Sequence, residues 1–71
     1  MEKYLNQKVI IRNVIKGVLI SINEKDNQVK VLVNGKEEEY SILAFANGSI
    51  IFEDASLNRS ASKDFEKLLT K

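Results

Sequence analysis

The sequence predicts a mainly β protein, a small barrel of five strands with a short helical turn before the last strand and a helix at the C-terminus. Three observations lead to this prediction. Apolar and polar residues alternate through much of residues 15–40, which is the period of a strand with one buried face. Asn34-Gly35 interrupts that stretch, and this dipeptide favours the two-residue turn of a hairpin. From Asp54 onwards the apolar period becomes that of a helix.

Length and composition limit what the chain can be. Its 71 residues are enough for one domain, which we expect to comprise a barrel at residues 1–54 and an amphipathic helix at residues 55–71, packed on or beside the barrel. The sequence has no Cys and no His, which excludes disulfides, thiolate metal sites and the usual general base at neutral pH. Eleven basic and ten acidic residues give a net charge of +1, which argues against bulk electrostatic binding of DNA.

The sequence shows no sign of a membrane or export segment. No apolar run approaches the roughly 20 residues of a membrane-spanning helix, and residues 1–8 lack the apolar core of a signal peptide. The absence of Pro and the presence of only three Gly argue against linkers and disorder. We therefore expect a soluble, cytoplasmic domain without membrane contact.

The first two strands are predicted at residues 8–12 and 15–22. In the central stretch one set of residues, most of them β-branched, is expected to face the core because its members share a period of two: these are Val18, Ile20, Ile22, Val29, Val31 and Val33. Leu19 and Leu32 would then lie on the opposite face. Gly17, just inside the second strand, is expected to mark a bulge or a sharp bend.

The fourth strand is predicted directly after the Asn-Gly turn, at residues 36–40. Its alternate glutamates, Glu37 and Glu39, would face water, and Tyr40 and Ile42 would turn back to the core. A row of charged residues on such a strand discourages pairing with another chain.

The period of two breaks after the fourth strand. Residues 41–48 are expected to form a single helical turn that lays Leu43 and Phe45 across one mouth of the barrel, and residues 48–53 to form the last strand. Tyr4, with its neighbour Leu5, is expected to pack at the open end of the barrel, although a stacking platform for a base or a partner is an alternative. Phe45, Phe52 and Phe65 are all expected to belong to the core.

The C-terminal helix has an apolar stripe at helical spacing, formed by Leu57, Ala61, Phe65, Leu68 and Leu69. Asp54 or Ser56 could cap its N-terminus, and Ser60 or Ser62 could cap a shorter helix. A helix of this length is marginal in water by itself, so the stripe needs a surface to cover it. That surface is either the barrel of the same chain or a second chain, in which case Leu57, Phe65 and Leu68 would form an interaction surface.

A set of positions across residues 5–54 has a recognisable order: Val9, Ile11, residues 17–22 (GVLISI), residues 29–33 (VKVLV), Tyr40, Ala44, Phe45 and residues 52–54 (FED). This order resembles that of small bacterial SH3-like and Tudor-like modules of the KOW and CarD-like kind. Such modules occur alone, attached to helicases and repair proteins, and as RNA-polymerase-binding domains of transcription-coupling factors. The chain departs from their pattern at Ile11, where His is common, and at Leu43, where Pro is common. The resemblance implies an SH3-like barrel that binds a macromolecule, and it brings no catalytic residues with it.

The residues that could support catalysis do not form a catalytic pattern. In residues 37–39 (EEE) the middle glutamate of a strand points away from its neighbours, so the three carboxylates cannot converge. Glu53-Asp54 lacks a third oxygen donor for a cation, and residues 60–63 (SASK) favour helix capping over a Ser–Lys dyad. No Gly-rich phosphate loop is present. We predict that the chain is not an enzyme and uses no cofactor or metal.

Three functions remain open. The first is a non-catalytic module that recognises a protein partner, within nucleic-acid or transcription machinery, through an edge strand or the barrel mouth near residues 12–16. The second is direct nucleic-acid binding through a basic face, for which the candidate residues are Lys8, Arg12, Lys16 and Lys30. The third is a self-associating structural module whose helix stripe pairs with a second copy, which would make the chain a weak homodimer rather than a monomer.

Overall fold

The computed structural model describes residues 2–70, which form one antiparallel sheet and a C-terminal helix. A 3₁₀ turn at Glu2–Tyr4 precedes the other elements, which are β1 (Lys8–Ile11), β2 (Ile15–Asn23), β3 (Gln28–Val33), β4 (Lys36–Ser41), α1 (Leu43–Ala46), β5 (Ile50–Phe52) and α2 (Ala55–Leu69). The strands lie in the order β4-β3-β2-β1-β5. The predicted mainly β class is confirmed, with its five strands, helical turn and C-terminal helix. The sheet is open, because no pairing joins β4 to β5 among these residues.

The hairpins are formed by short turns whose residues are polar or have a left-handed backbone conformation. Asn34 and Gly35 have φ angles of 50° and 79°, and they are the only residues between β3 and β4, as the sequence predicted. Gly accepts this conformation without steric cost and Asn tolerates it. The turn between β2 and β3 is closed by Asn23, whose side-chain oxygen accepts a hydrogen bond from the Asp26 amide at 3.2 Å.

In the first half of β2, the side of the strand that faces the core is the opposite of the one predicted. Leu19 is fully buried and pairs with the equally buried Val31, whereas Val18 and Ile20 are only half-buried. The prediction that Val18 and Ile20 face the core was therefore wrong, and so was the outward placement of Leu19. The outward placement of Leu32 is correct, since this residue pairs with Val18 and is 37% exposed.

A register shift within β2 explains this exchange of faces. The pairing with β3 slips between Leu19 and Ser21, so an extra residue is inserted and the side that faces the core changes. Beyond the shift, Ile22 pairs with the buried Val29 and packs against the core, as predicted. The sequence suggested Gly17 as the site of a bulge, but the shift comes later in the strand.

Gly17 instead permits the close approach of β3. A Cβ atom at this position would lie 2.6 Å from Cγ1 of Val31 and 2.9 Å from the carbonyl oxygen of Leu32. Real side chains do not tolerate such distances, so only a residue without a side chain fits here. The inner side of β2 is therefore covered directly by β3 where β2 begins.

Four aromatic rings form the centre of the core, on the side of the sheet that we call the inner face. Tyr4, Phe45, Phe52 and Phe65 make a closed circuit in which each ring contacts two others, with centroids 4.5 Å apart for Phe45 and Phe65 and 5.3 Å apart for the other pairs. The rings come from the 3₁₀ turn, α1, β5 and α2. All four residues are buried, and Tyr4 lies in the core rather than at its edge.

Helix α2 packs with its apolar stripe against this core. Asp54 is its N-cap, one of the two residues predicted for that position, and its side chain accepts a hydrogen bond from the Ser56 amide at 2.9 Å. Ala61, Phe65 and Leu68 of the stripe are buried, and the remaining members, Leu57 and Leu69, are partly buried against the same cluster. No helix in the described part of the chain is long and apolar enough to cross a membrane.

Asn58 of α2 also joins the helix to the edge strand β5. Its side-chain oxygen accepts a hydrogen bond from the Phe52 amide at 2.7 Å, and its side-chain nitrogen donates to the Phe52 carbonyl oxygen at 2.8 Å. The carboxamide therefore reproduces the pair of hydrogen bonds that a neighbouring strand would make. One backbone position on the outer edge of β5 is satisfied in this way without another strand.

Candidate binding site

The outer face of the sheet lies opposite the aromatic core and carries apolar side chains that remain partly exposed. Strand pairing places on this face Ile51 of β5, Lys8 and Ile10 of β1, Lys16 and Val18 of β2, Lys30 and Leu32 of β3, and Glu37 and Glu39 of β4. Ile10, Val18 and Ile51 are half-buried, and Leu32 is the most exposed apolar residue among them. An apolar band with charged neighbours therefore crosses β5, β1, β2 and β3.

A shallow groove of about 350 Å³ lies on this face, and we call it the outer groove. Val18 and Leu32, which pair across β2 and β3, supply its large apolar side chains. Lys8 and Lys16 also line the groove, together with Glu53 and the β3–β4 turn. The groove thus combines an apolar surface with two cations and one carboxylate.

The four predicted cations are divided by the structure. Lys8 and Lys16 come together in the outer groove, because the β1–β2 register places them on one face as diagonal neighbours. Neither of them takes part in the ion pairs found within residues 2–70. Lys30 shares the face, but its Nζ lies 3.8 Å from Oε1 of Glu37, with both side chains largely exposed. Arg12 lies apart from these three, in the β1–β2 turn.

The β1–β2 turn presents apolar side chains beside this arginine. Arg12 and Asn13 both have left-handed backbones, with φ angles of 51° and 65°, and the Arg12 amide donates to the Ser49 carbonyl oxygen at 2.7 Å. Asn adopts this conformation readily, whereas a residue with a long side chain does so at a cost. Val14 follows with 76% of its surface exposed, and Ile15 with 40%. The turn therefore combines a strained arginine with the exposed Val14, while Ile15 begins β2 opposite the buried Ile11.

The acidic residues singled out in the sequence do not gather into one site. Glu37, Glu38 and Glu39 are all exposed, and Glu38 pairs with a buried valine and so lies on the inner side while its neighbours lie on the outer face. Asp54 is occupied as the helix cap, where the hydrogen bonds from Ser56 hold the pKa of its carboxyl below the usual range. Within residues 2–70, no three His, Cys, Asp or Glu residues come together as a metal site would require.

A polar cluster ties the N-terminal turn to α2. The Tyr4 hydroxyl lies 2.6 Å from Oδ2 of Asp64 and 2.9 Å from Oγ of Ser60, and the Lys3 Nζ lies 3.6 Å from the same carboxylate oxygen. The hydrogen bond from Tyr4 lowers the pKa of Asp64, while burial, followed by the bond to Asp64, raises the pKa of Tyr4. Ser60 in turn donates to the Leu57 carbonyl oxygen at 3.3 Å. The cluster thus holds two segments of the chain together.

The helix residues considered as an interaction surface face the core of the same chain. Phe65 is fully buried, Leu68 is 8% exposed and Leu57 is partly buried. A second cleft, of about 320 Å³, lies between α1, β5 and α2, and it is lined by residues 45–48, Ile50, Ile51, Asn58, Ala61 and Ser62. None of these residues is charged. The outer groove differs from this cleft by its two lysines and its carboxylate.

Val18, Leu32 and Glu53 of the outer groove were not predicted from the sequence as parts of a partner-binding site. The signal that could have found the first of them is a repeat of cation and aliphatic residue, since Lys8-x-Ile10 and Lys16-x-Val18 meet on one face once β1 pairs with β2. That signal was hidden because Val18 was assigned to the core. Leu32 can be recognised as the neighbour of Val18 only when the register between β2 and β3 is known.

Comparison of the chain with protein-family models, with curated proteins and with solved structures finds no match.

Proposed function

We propose that the chain is a non-catalytic binding module that recognises a protein partner through the outer face and the β1–β2 turn. The observation that carries this proposal is the exposure of Val14 in the β1–β2 turn and of Leu32 on the outer face, whereas Ile15, also exposed, pairs with the buried Ile11 on the inner side. Val14, Ile15 and Leu32 are three of the four large apolar residues that are exposed in residues 2–70. Lys16 follows the first two directly and lines the outer groove with Leu32. In the outer groove the apolar Val18 and Leu32 lie beside charged side chains, an arrangement found at protein interaction sites.

The backbone of Arg12 supports the same surface. A left-handed φ of 51° is costly for arginine, and asparagine or glycine would relieve the cost. Residues held in such conformations are concentrated at functional sites, where the side chain itself is needed. Arg12 therefore contributes a cation at the tip of the turn, beside Val14, at the expense of some stability.

A protein is a better partner for this surface than single-stranded nucleic acid. Proteins that bind single strands stack bases on exposed aromatic rings, and here Tyr4, Phe45, Phe52 and Phe65 are buried. Glu37 and Glu39 also share the outer face with the lysines, so a backbone of many phosphates would meet repulsion where it extends beyond the outer groove. Direct nucleic-acid binding remains the alternative, and the experiment below can detect it.

The sheet belongs, in our proposal, to an SH3-like barrel that works in nucleic-acid or transcription machinery. The strand order, the helical turn between β4 and β5, and the tight approach of β3 at Gly17 support a strongly coiled sheet of that kind. The biological setting rests on the resemblance of residues 5–54 to bacterial modules with such roles.

The proposal can be tested by affinity capture from a nuclease-treated bacterial lysate, with the tagged full chain and matched variants. We expect the wild type to retain a protein that is lost with Val14→Ser and Leu32→Ser combined. Leu43→Ser is the control, because Leu43 is also exposed, at 53%, but lies on α1 away from this surface. Arg12→Asn relieves the strain of the turn while removing its cation, so we expect it to raise stability and to weaken capture.

Three results would contradict the proposal. The first is that no protein is retained specifically by the wild type. The second is that the Val14 and Leu32 variant and the Leu43 variant capture the same protein equally well. The third is that a protein is captured from an untreated lysate but not from the nuclease-treated one, and that the purified chain binds generic DNA or RNA with a steep salt dependence, which would establish the nucleic-acid function instead.

A further inference from the structure

We propose that the outer groove takes a short protein segment in which a carboxylate side chain lies next to a large aliphatic one. The inference rests on the proposed protein-binding function and adds the chemistry of the partner. Lys8 and Lys16 would hold the carboxylate, while Val18 and Leu32 would contact the aliphatic side chain. The groove offers both kinds of contact within one lining.

The charges of the groove favour an acidic partner. Lys8 and Lys16 are exposed and lie on one face, and neither belongs to the ion pairs found in the described part of the chain, which are Lys3–Asp64 and Lys30–Glu37. Glu53 is the only carboxylate in the lining, so two cations face one anion. The excess positive charge is complementary to a single carboxylate from outside.

The apolar part of the groove distinguishes a protein segment from a simple anion. Val18 and Leu32 lie directly opposite each other across β2 and β3, and neither is fully buried. A phosphate or another small anion would leave both of them in water, whereas an aliphatic side chain would cover them. The volume of about 350 Å³ is suited to a few side chains rather than to a large ligand.

Glu53 and the β3–β4 turn, which also line the outer groove, suggest how such a segment is placed. Glu53 pairs across the sheet with β1 at Lys8, since its amide donates to the Lys8 carbonyl oxygen at 3.1 Å. Its carboxylate would repel the acidic residue of the partner, so that residue should lie towards Lys16 and the β3–β4 turn. Glu53→Gln is therefore expected to tighten binding of the acidic segment. Because this substitution leaves both lysines unchanged, it tests the orientation of the segment in the groove.

The test uses nuclear magnetic resonance of the full chain labelled with ¹⁵N. The probe is a capped pentapeptide, Ser-Leu-Glu-Leu-Ser, and the controls are Ser-Leu-Lys-Leu-Ser, Ser-Ser-Glu-Ser-Ser and inorganic phosphate. We expect the probe to shift the amide signals of Lys8, Val18 and Leu32. It should bind about three- to tenfold more tightly than the lysine peptide, an effect of the size expected for two exposed ion pairs. It should also bind more tightly than Ser-Ser-Glu-Ser-Ser, which has no aliphatic side chain to cover Val18 and Leu32.

A charge reversal makes the test specific. Lys8→Glu combined with Lys16→Glu should invert the preference, so that the lysine peptide becomes the better ligand. Lys25→Glu combined with Lys63→Glu changes the net charge equally at exposed positions away from the outer face and should leave the preference unchanged. If the reversed variant does not fold, Lys8→Gln with Lys16→Gln replaces it, and the preference for the glutamate peptide over the lysine peptide should then disappear.

The inference is overturned if the wild type binds the glutamate and lysine peptides equally, or if the shifted signals lie outside the groove. It is also overturned if phosphate alone gives the same shifts and displaces the peptide, because the site would then be a plain anion site. Loss of this peptide preference, with capture of a protein still dependent on Leu32, would remove the inference and leave the proposed function intact. Preserved preference without such capture would remove the proposed function alone.

Discussion

The inner and outer faces of the sheet are built from the same strands but have different surroundings. On the inner face, the Tyr4 ring lies between Phe52 and Phe65, and α2 supplies both a ring and a hydrogen-bonding partner. On the outer face, Val18 and Leu32 pair with each other but keep part of their surface exposed. The inner side chains are thus satisfied within the chain, whereas the outer ones are available to another molecule.

This difference separates the residues that stabilise the fold from those available for binding. A chain of 71 residues buries only about 60% of the surface of its unfolded form, so its core has little stability to spare. Apolar side chains left on the outside add less to that stability, and their exposure is the basis of the binding site proposed above. Substitutions on the two faces should therefore have effects of different kinds.

The largest effect should come from Phe65→Ala, which removes a fully buried ring that contacts two others. We expect a loss of about 3–5 kcal/mol in the free energy of unfolding, measured by urea denaturation. Because small domains are marginally stable, such a loss is enough to unfold much of the population. Leu43→Ala, at an exposed position, should change stability by less than about 0.5 kcal/mol. If the two variants had similar stabilities, the distinction between a buried inner face and the rest of the surface would be wrong.

Gly17→Ala should have the next largest effect, since the new Cβ would meet Val31 and the Leu32 carbonyl group at the distances given above. We expect a destabilisation of about 1–3 kcal/mol, typical of overpacking, in the same denaturation assay. Lys16→Ala, one residue earlier and directed to the outer face, is the matched control and should be nearly neutral. An alanine at position 17 that leaves stability unchanged would show that β3 can withdraw from β2 without cost.

Tyr4→Phe should have a smaller effect that depends on pH. The hydrogen bond from Tyr4 lowers the pKa of Asp64, so this interaction stabilises the fold above the unfolded pKa of the carboxyl and is lost as the pH falls through the folded value. The variant should therefore be less stable than the wild type at neutral pH, and the difference should shrink as the pH falls below the ordinary pKa of an aspartate, measured by denaturation across pH.

The alkaline side gives an independent check on the same pair. The pKa of Tyr4 is raised, so its contribution is present below the ordinary pKa of tyrosine and is lost as the pH rises through the folded value. The wild type should approach the phenylalanine variant there as well. A difference between the two proteins that stays constant from acid to alkali would mean that the hydroxyl does not act through Asp64.

The smallest effect on stability should come from Leu32→Ser on the outer face. Because 37% of its surface is already exposed, Leu32 has less burial to lose than a core residue, and we expect a change of about 1 kcal/mol in thermal or urea denaturation. Binding should nevertheless be lost, because this side chain supplies half of the apolar pair in the outer groove. A strongly destabilised serine variant would show that the outer face belongs to the core, and the distinction between the faces would fail.

The fold could be predicted from the sequence wherever a local signal was sufficient. Asn34-Gly35 specified its own turn, and the helical period from Asp54 onwards specified α2 together with its buried stripe. The facing of β2 could not be predicted, because the extra residue near Ile20 carries no mark in the sequence and one inserted residue reverses every assignment before it. The contact between Tyr4 and Asp64 joins residues far apart in the chain, so only the folded structure reveals it.

The candidate site was predicted in part, for the same physical reasons. Lys8 and Lys16 were recognisable as cations on early strands, and the strand pairing brings them together. Val18 was assigned to the opposite face, so its neighbour Leu32 was left without a role. The glutamates at residues 37–39 were expected to be exposed, and they are.

The carboxamide of Asn58 limits how copies of this protein could stack through their backbones. A continuous filament of sheets requires two edge strands with free backbone groups on every molecule. On β5, the amide and the carbonyl oxygen of Phe52 already form hydrogen bonds with the Asn58 side chain. Edge pairing could then join two molecules β4 to β4, against the repulsion of six glutamates, three from each, but would stop at that pair. A single helical residue therefore protects a small, largely β protein from unlimited polymerisation.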